Sequence, residues 1–312
     1  MKSAVVTVTL NPALDKTVTL SGLEIGGLNR VRDLRVDPGG KGINVAKVLK
    51  KFNVNVIAAG LVAGFQGQQL LKQLERDAIE VCFVNARGET RTNLKIVDER
   101  VKVTTEINEP GFNVFPEDLE RLGQKLSGLL DQASLLIIGG SLPPGVPDHV
   151  YRDYIELANG KGVKAILDAD GGALREGIKA KPFAIKPNLH ELEQLVGRKL
   201  TTTPEIVSAG KQLVGQGISL VIISMGSQGS IVLDQKEAYQ VTPFPISPKS
   251  TVGAGDSMVA ALAYSLLANK PLADIAIWTT TAGTVTASKS GTQVCTLAEV
   301  QHFLPQVHAL KI

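Results

Sequence analysis

Three small residues, Gly253, Ala254 and Gly255, run straight into a carboxylate, Asp256, and then into the apolar stretch from Met258 to Ala263. This order predicts a glycine-rich turn opening a helix. The first amides of a helix have no internal partners and carry the positive end of its dipole, so residues 253–255 can present bare N–H groups to an anion such as phosphate. Asp256, on the first turn, would then stand where it can take a proton from an attacking hydroxyl. The same residues also suit a tight turn with a helix-capping aspartate, and their spacing leaves both readings open. Neither of two common phosphate loops is present. Lys41 has Arg35 where a Walker loop has its first glycine and Gly42 where it has its hydroxyl, and Met258 replaces the last glycine of a dinucleotide fingerprint.

A second glycine turn, Gly39-Gly40-Lys41-Gly42, feeds a run in which Val45, Val48, Leu49 and Phe52 recur at helical spacing. Lys41 and Asn44 fall at the amino end of that helix, where a lysine is either a solvated charge or the partner of an approaching anion. Asp15 lies just past the β-branched run Ala4 to Leu10, at the kind of strand end where open α/β sheets bind ligands, although it also suits a turn. Gly139 to Gly145 forms a rigid turn bearing the hydroxyl of Ser141. Asn188 and Glu191 have capping-box spacing, and as hard oxygen donors they also suit a hydrated Mg²⁺. Ser224 to Gly229, with Gly226 inside it, is either a hairpin turn or a loop whose backbone and Ser224 reach a nucleotide. Arg91 is a surface charge or, if its run belongs to a lid, a cleft residue.

These residues need a scaffold, and the hydrophobic pattern supplies one. Strands over 4–10 and 54–61, helices over 45–52 and 66–77, and regular alternation after Pro116 predict repeated βα units in a doubly wound sheet. That alternation comprises helices 117–130, 147–159, 171–178, 189–196 and 204–215 and strands 134–139, 163–168, 183–185 and 219–224. Helices 256–268 and 272–288 follow as an apolar pair. Segments 17–20 and 31–36, with 81–84, 92–97 and 101–107, are expected to form a small antiparallel lid spanning about 15–36 and 81–108 of a single domain, 1–312.

Composition narrows the function. The 312 residues carry 33 Lys and Arg against 30 Asp and Glu, a net charge of +3, too small for binding nucleic acid through its phosphates. One Trp, four Tyr and eight Phe leave little for a base-stacking surface. The two cysteines, Cys82 and Cys295, have no metal-ligand spacing and suit a reducing compartment. The apolar runs are too short for a signal sequence or a membrane span, so a soluble cytoplasmic protein with no nucleic-acid or membrane partner is expected.

Leu10-Asn11-Pro12-Ala13-Leu14-Asp15, Gly39 to Ala46, Gly140-Ser141-Leu142-Pro143-Pro144-Gly145, Lys186-Pro187-Asn188 with Glu191, and Ser250 to Met258 resemble, in order and spacing, the motifs of the ribokinase-like (PfkB-type) carbohydrate kinases. Within them the chain is similar to the phosphosugar branch over nearly its whole length. The resemblance implies a ribokinase-like, Rossmann-type three-layer α/β fold with a doubly wound, mostly parallel sheet and a small antiparallel β lid. It implies ATP as phosphoryl donor and Mg²⁺ as cofactor. Asp256 matches the family's base, and the amides of Gly253, Ala254 and Gly255 its anion hole. Asp15, Gly39, Gly40 and Asn44 match sugar contacts, with Ser141 on the substrate side. Lys41 and Arg91, with Arg30 as a weaker candidate, would hold the phosphate already on the sugar. Lys186, Ser224, Gly226, Gly229 and Thr251 match nucleotide contacts, and Asn188 and Glu191 the Mg²⁺ motif. A potassium site near Ser250, Val252, Ala287 and Ser290 and a homodimer formed through the lid follow from the same resemblance.

The Gly-Gly-Lys-Gly turn and the stretch Thr105 to Gly111 resemble relatives acting on fructose 1-phosphate or tagatose 6-phosphate. Leu28 stands where relatives acting on fructose 6-phosphate carry a phosphate-binding lysine. Phosphorylation of fructose 1-phosphate to fructose 1,6-bisphosphate is therefore expected, with the other two sugars as alternatives. A catalytically silent sugar-phosphate sensor is opposed by the intact Asp256 and the glycines before it. Ala169 and Asp170 depart from the small hydroxyl residues common at these positions in relatives.

Overall fold

The computed structural model describes residues 4–312. Ala4–Thr9 (β1) is buried along its whole length, as a strand covered on both faces must be. The chain then crosses to a second sheet as Ala13–Leu20 (β2) and Asp33–Gly39 (β3). It returns through Lys41–Lys51 (α1), Val56–Ala63 (β4), Gly64–Arg76 (α2) and Glu80–Ala86 (β5). Arg91–Asp98 (β6) and Val103–Asn108 (β7) complete the second sheet.

From there βα units follow one another: Pro116–Leu130 (α3), Ala133–Gly139 (β8), Val150–Gly160 (α4), Lys164–Asp168 (β9), Gly171–Gly177 (α5) and Ala184–Ile185 (β10). Leu189–Val196 (α6), Thr203–Gly215 (α7) and Leu220–Ser224 (β11) end the series. Ser230–Leu233 (β12), Ala238–Val241 (β13), Ala254–Leu267 (α8), Leu272–Ala287 (α9), Leu297–Phe303 (α10) and Ala309–Lys311 (β14) close the chain.

The large sheet has the order β14-β13-β12-β11-β10-β9-β8-β1-β4-β5. It is parallel from β5 to β11 and antiparallel beyond. The chain builds outward from β1 through β4 to β5, then crosses back and builds the other way from β8. The strand order thus reverses between β1 and β8, and the crevice beyond their carboxyl ends is where a doubly wound sheet binds ligand. Two apolar layers sandwich the sheet, Val5 joining one and Val6 and Val8 the other. Helix α3 shows how a helix commits to a layer: Leu122, Leu126 and Leu130, four residues apart, are fully buried. Each such leucine contributes about 1.5–3 kcal/mol of transfer free energy.

The lid differs from expectation in one strand. Residues 81–84 lie in β5, which pairs in parallel with β4 at the edge of the large sheet and takes no part in the lid. The reason is the helix before it: β4, α2 and β5 form one parallel crossover unit, whereas the loop after β5 leads to the lid strand β6. The lid is β3-β2-β6-β7. Its registers, Asp15 opposite Asp37 and Asn93, and Lys16 opposite Val36 and Leu94, sort its side chains onto two faces. Asp15, Asn93 and Lys95 share one face, and Leu34, Val36, Val103 and Ile107 share the other. Strands β13 and β14 and helix α10 carry no clear periodic signal and were not anticipated; β14 extends the sheet by pairing with β13. Among the described residues, no helix is long and apolar enough to cross a membrane.

Candidate active site

Helix α8 begins at Ala254, with Gly253 as its N-cap at φ 75°, the left-handed region that favours glycine. The Ser257 amide closes the first turn on Gly253 O at 2.9 Å, and the Ala254 amide bonds back to Thr251 O at 3.2 Å. Of the three expected anion-hole amides, that of Ala254 is therefore already engaged. Asp256, third in the helix, is 7 % exposed and accepts a 2.8 Å hydrogen bond from Asn44 Nδ2 on α1. Burial, reinforced by the nearby Asp168 carboxylate, pushes the Asp256 pKa up to about 6, against the pull of Lys41, Asn44 and Lys186. A carboxylate poised there is ionised at neutral pH yet still basic enough to receive a proton.

Asp168, at the carboxyl end of β9, is the hub that the sequence did not reveal. Its Oδ1 lies 3.0 Å from Lys41 Nζ and 3.3 Å from Lys186 Nζ. Burial alone would raise its pKa, but Lys186 and Lys41 outweigh burial and hold it below the ordinary carboxylate range. Burial would likewise lower the Lys41 pKa, yet Asp168 foremost, then Asp256 and Glu191, raise it, so the ammonium stays charged. Lys186 Nζ also borders the helix mouth, 3.3 Å from where a Gly255 Cβ would lie. Two ammonium groups, two carboxylates and the amino end of α8 therefore meet in one place.

Lys41 and Arg91, expected to clasp one phosphate together, make separate contacts. Arg91 Nη1 donates to Glu109 O at 2.9 Å, and its Nη2 donates to Asn11 O at 3.1 Å and Ser141 Oγ at 3.4 Å. Ser141 thus joins Arg91 at the mouth of the β1/β8 crevice. Asp15 is held by Lys95 Nζ at 2.8 Å and Asn93 Nδ2 at 3.0 Å, an ion pair whose two side chains are nearly inaccessible. Gly39 lies against that carboxylate, where a Cβ would come within 2.6 Å. Gly40 adopts φ 115° at the α1 N-cap. Arg30 is exposed in the β2–β3 loop.

Arg91 Nε, Asn11 Oδ1, Asn93 Oδ1 and Thr9 Oγ1 are buried without a hydrogen-bond partner in the protein. Unpaired buried polar atoms are costly, and a group of them around one crevice is what a polyhydroxylated ligand would satisfy. Asn11, Asn93 and Lys95 were missed as candidates. The signal for the last two was the period-2 series Arg91, Asn93, Lys95 along one strand face.

On the opposite side, Asn188 caps α6. Its Oδ1 accepts from the Glu191 amide at 2.8 Å, and Glu191 Oε2 accepts from the Asn188 amide at 2.8 Å. Neither bond uses Glu191 Oε1. Among the described residues no cluster of three acidic, histidine or cysteine side chains forms a metal cage. Mg²⁺ normally retains water and is held by one or two carboxylates and substrate phosphates, so the Glu191 oxygen left out of the capping box, on a partly exposed side chain, fits that mode of binding.

Ser224 bridges to Asn188 across neighbouring strand ends. Gly226 opens a 3₁₀ turn over 226–228. Gly229 has its own structural reason, since a Cβ there would meet Val241 O at 1.9 Å. Thr251 is exposed beside the α8 mouth. Near the expected potassium position, Ser250 Oγ accepts from the Val252 amide at 3.2 Å. Ala287 O accepts from the amides of Lys249 at 2.9 Å and Ser250 at 3.4 Å, and Ser290 follows one turn later.

The profile described as pfkB family carbohydrate kinase matches residues 8–299. The chain is 34% identical to the 1-phosphofructokinase of Haemophilus influenzae over 311 residues, covering 99% of both chains. It is 38% identical to that of Xanthomonas campestris over 273 residues, 86% of this chain and 85% of the relative. Phosphofructokinase-2 from Escherichia coli, solved in complex with potassium, superposes with a TM-score of 0.93 at 30% identity, covering 97% of this chain and 99% of that one. The same enzyme has been solved as a tetrameric inhibited form, with a TM-score of 0.91. This chain belongs to the pfkB family of carbohydrate kinases.

Proposed function

We propose that the protein transfers the terminal phosphoryl group of ATP to the 6-hydroxyl of fructose 1-phosphate, giving fructose 1,6-bisphosphate and ADP. The observation that carries this reading is the meeting of Asp256, its pKa raised to about 6, with the α8 amino end and the Lys41–Asp168–Lys186 cluster. Relatives named 1-phosphofructokinase at 34–38% identity support the choice of sugar.

In this mechanism Asp256 accepts the hydroxyl proton as the sugar oxygen attacks the γ-phosphorus and the bond to the bridging oxygen of ADP breaks. Charge on the migrating group is met by the Gly253 and Gly255 amides, by Ala254 once its long bond to Thr251 yields, and by the Lys41 and Lys186 ammonium groups. Lys41 acts on this group, since its Nζ sits at Asp168 in the field of Asp256. Arg91 then holds the sugar's own phosphate, with Asp15, Gly39, Gly40, Asn44 and Ser141 on the sugar side. Lys186, Ser224, Gly226, Gly229 and Thr251 line the nucleotide side. Mg²⁺, held through water by Glu191 beside Asn188, would neutralise charge on the nucleotide phosphates. A potassium ion near Ser250, Val252, Ala287 and Ser290 belongs to the same proposal. So does a homodimer formed through the outer lid face, where Leu34, Val36, Val103 and Ile107 are 39–54% exposed.

Steady-state kinetics with ATP and each of fructose 1-phosphate, tagatose 6-phosphate and fructose 6-phosphate test the reading. The largest kcat/KM should belong to fructose 1-phosphate; a larger value for tagatose 6-phosphate would reassign the substrate. Arg91→Ala should raise KM for the phosphosugar by about tenfold to a hundredfold with a smaller change in kcat, as loss of a charge-assisted contact to a bound phosphate does. An unchanged KM would remove Arg91 from that role.

A further inference from the structure

The cavity between α1, the end of α2, strand β3 and the loop after α9 measures about 440 Å³ and shares no lining residue with the centre around Asp256. Arg35, Lys47, Lys50, Lys51 and Arg76 line it, against only two carboxylates, Asp37 and Asp77. Five cations against two anions place in this one hollow a net positive charge equal to the +3 of the entire chain. Arg35 is neutralised by Asp37 at 2.7 Å, and Asp37 is further engaged by Thr292 Oγ1 at 2.6 Å. Among the described residues, no carboxylate lies within ion-pairing distance of the other four cations. Lys47 has only a 3.3 Å bond to Pro38 O, and burial pushes its ammonium below the ordinary value. No aromatic ring lines the cavity, so it offers no platform for a nucleobase.

We propose that this cavity is a second anion site, separate from the catalytic centre, for a compact, non-aromatic small molecule bearing two or more phosphoryl groups. Like-charged side chains held together around a hollow raise their mutual repulsion, which a polyanion relieves while each ammonium makes a charge-assisted bond. The walls link the site to catalysis. Strand β3 belongs to the lid and ends at Gly39, against Asp15, while Val294 lies 3.7 Å from where a Cβ on the α8 N-cap Gly253 would be. A bound polyanion therefore ties a lid strand to the loop that supports the helix mouth. The site stands on charge and cavity alone and does not depend on which sugar the enzyme phosphorylates.

Calorimetric titration of the full chain with inorganic tripolyphosphate, without nucleotide or magnesium, tests the proposal. The double variant Lys50→Glu with Arg76→Glu changes two exposed side chains in the cavity wall, and Arg198→Glu with Lys211→Glu makes the same charge change elsewhere on the surface. The cavity variant should bind tripolyphosphate about tenfold more weakly or worse, and the control variant should bind as the unaltered chain does. Equal weakening in both, or no weakening in the cavity variant, overturns the site. Orthophosphate should bind the unaltered chain far more weakly than tripolyphosphate; equal affinity overturns the assignment to a multiply phosphorylated ligand.

Discussion

Asp256→Asn should lower kcat by about a thousandfold or more while leaving KM for both substrates within a few-fold, because general-base assistance is worth about 10²–10⁴ and the amide keeps the shape of the side chain. Asn44 can still donate to the remaining carbonyl oxygen, so the α1–α8 contact survives. The same substitution should stabilise the fold. Asp256 has a folded-state pKa near 6, above the ordinary value of 3.8, so the native state resists its ionisation. The resulting penalty is absent below about pH 3.8, grows between there and pH 6, and is fully present at neutral pH. Removing the charge should return on the order of 2 kcal/mol at pH 7, seen as a higher Tm, and little at pH 4. A more stable protein with almost no turnover is the expected signature of a strained catalytic carboxylate. Unchanged turnover would exclude Asp256 as the base.

Asp168→Ala should be the most destabilising change in the site. Asp168 is 4% exposed and separates two ammonium groups, of which Lys186 is 6% exposed and Lys41 is partly open to solvent. Removing one partner of a buried pair leaves an uncompensated charge, typically at about 3–5 kcal/mol, and here solvent relieves only Lys41. Thermal denaturation should show a Tm lower by on the order of 5–10 °C, and Asp168→Asn should lose less because it retains an acceptor. The variant should also move Asp256. With the neighbouring negative charge gone, its pKa falls and the acid limb of the rate profile shifts to lower pH. An unaltered Tm would show that the ion cluster is not held as described.

Much of this architecture was legible because it depends on local signals. The β-branched run of β1, the glycine turns before α1 and α8, and the Asn188–Glu191 capping box each carry their explanation within a few residues. What stayed hidden depends on distant convergence. Asp168 sits in an unremarkable strand end, and nothing near it in sequence announces Lys41, 127 residues away. Lys95 was not singled out, because only the register of β6 with β2, with Asn93 opposite Asp15 and Lys95 opposite Thr17, puts it on the same face as Asp15 and within reach of it. The edge strand β5 was misassigned because its sequence alternates as weakly as the lid strands do, and only the crossover helix α2 ties it to the parallel sheet. The glycine turn marked Lys41 as a candidate anion ligand, but its contact with Asp168 lay beyond what the turn could reveal.

The pH dependence of kcat/KM for fructose 1-phosphate, measured at saturating ATP from pH 4.5 to 8.5, bears most directly on Asp256 as the base beside the α8 mouth. The profile should be flat near neutrality and fall about tenfold per pH unit below about pH 6, as protonation removes the base. A rate that holds level down to pH 4.5 would contradict it.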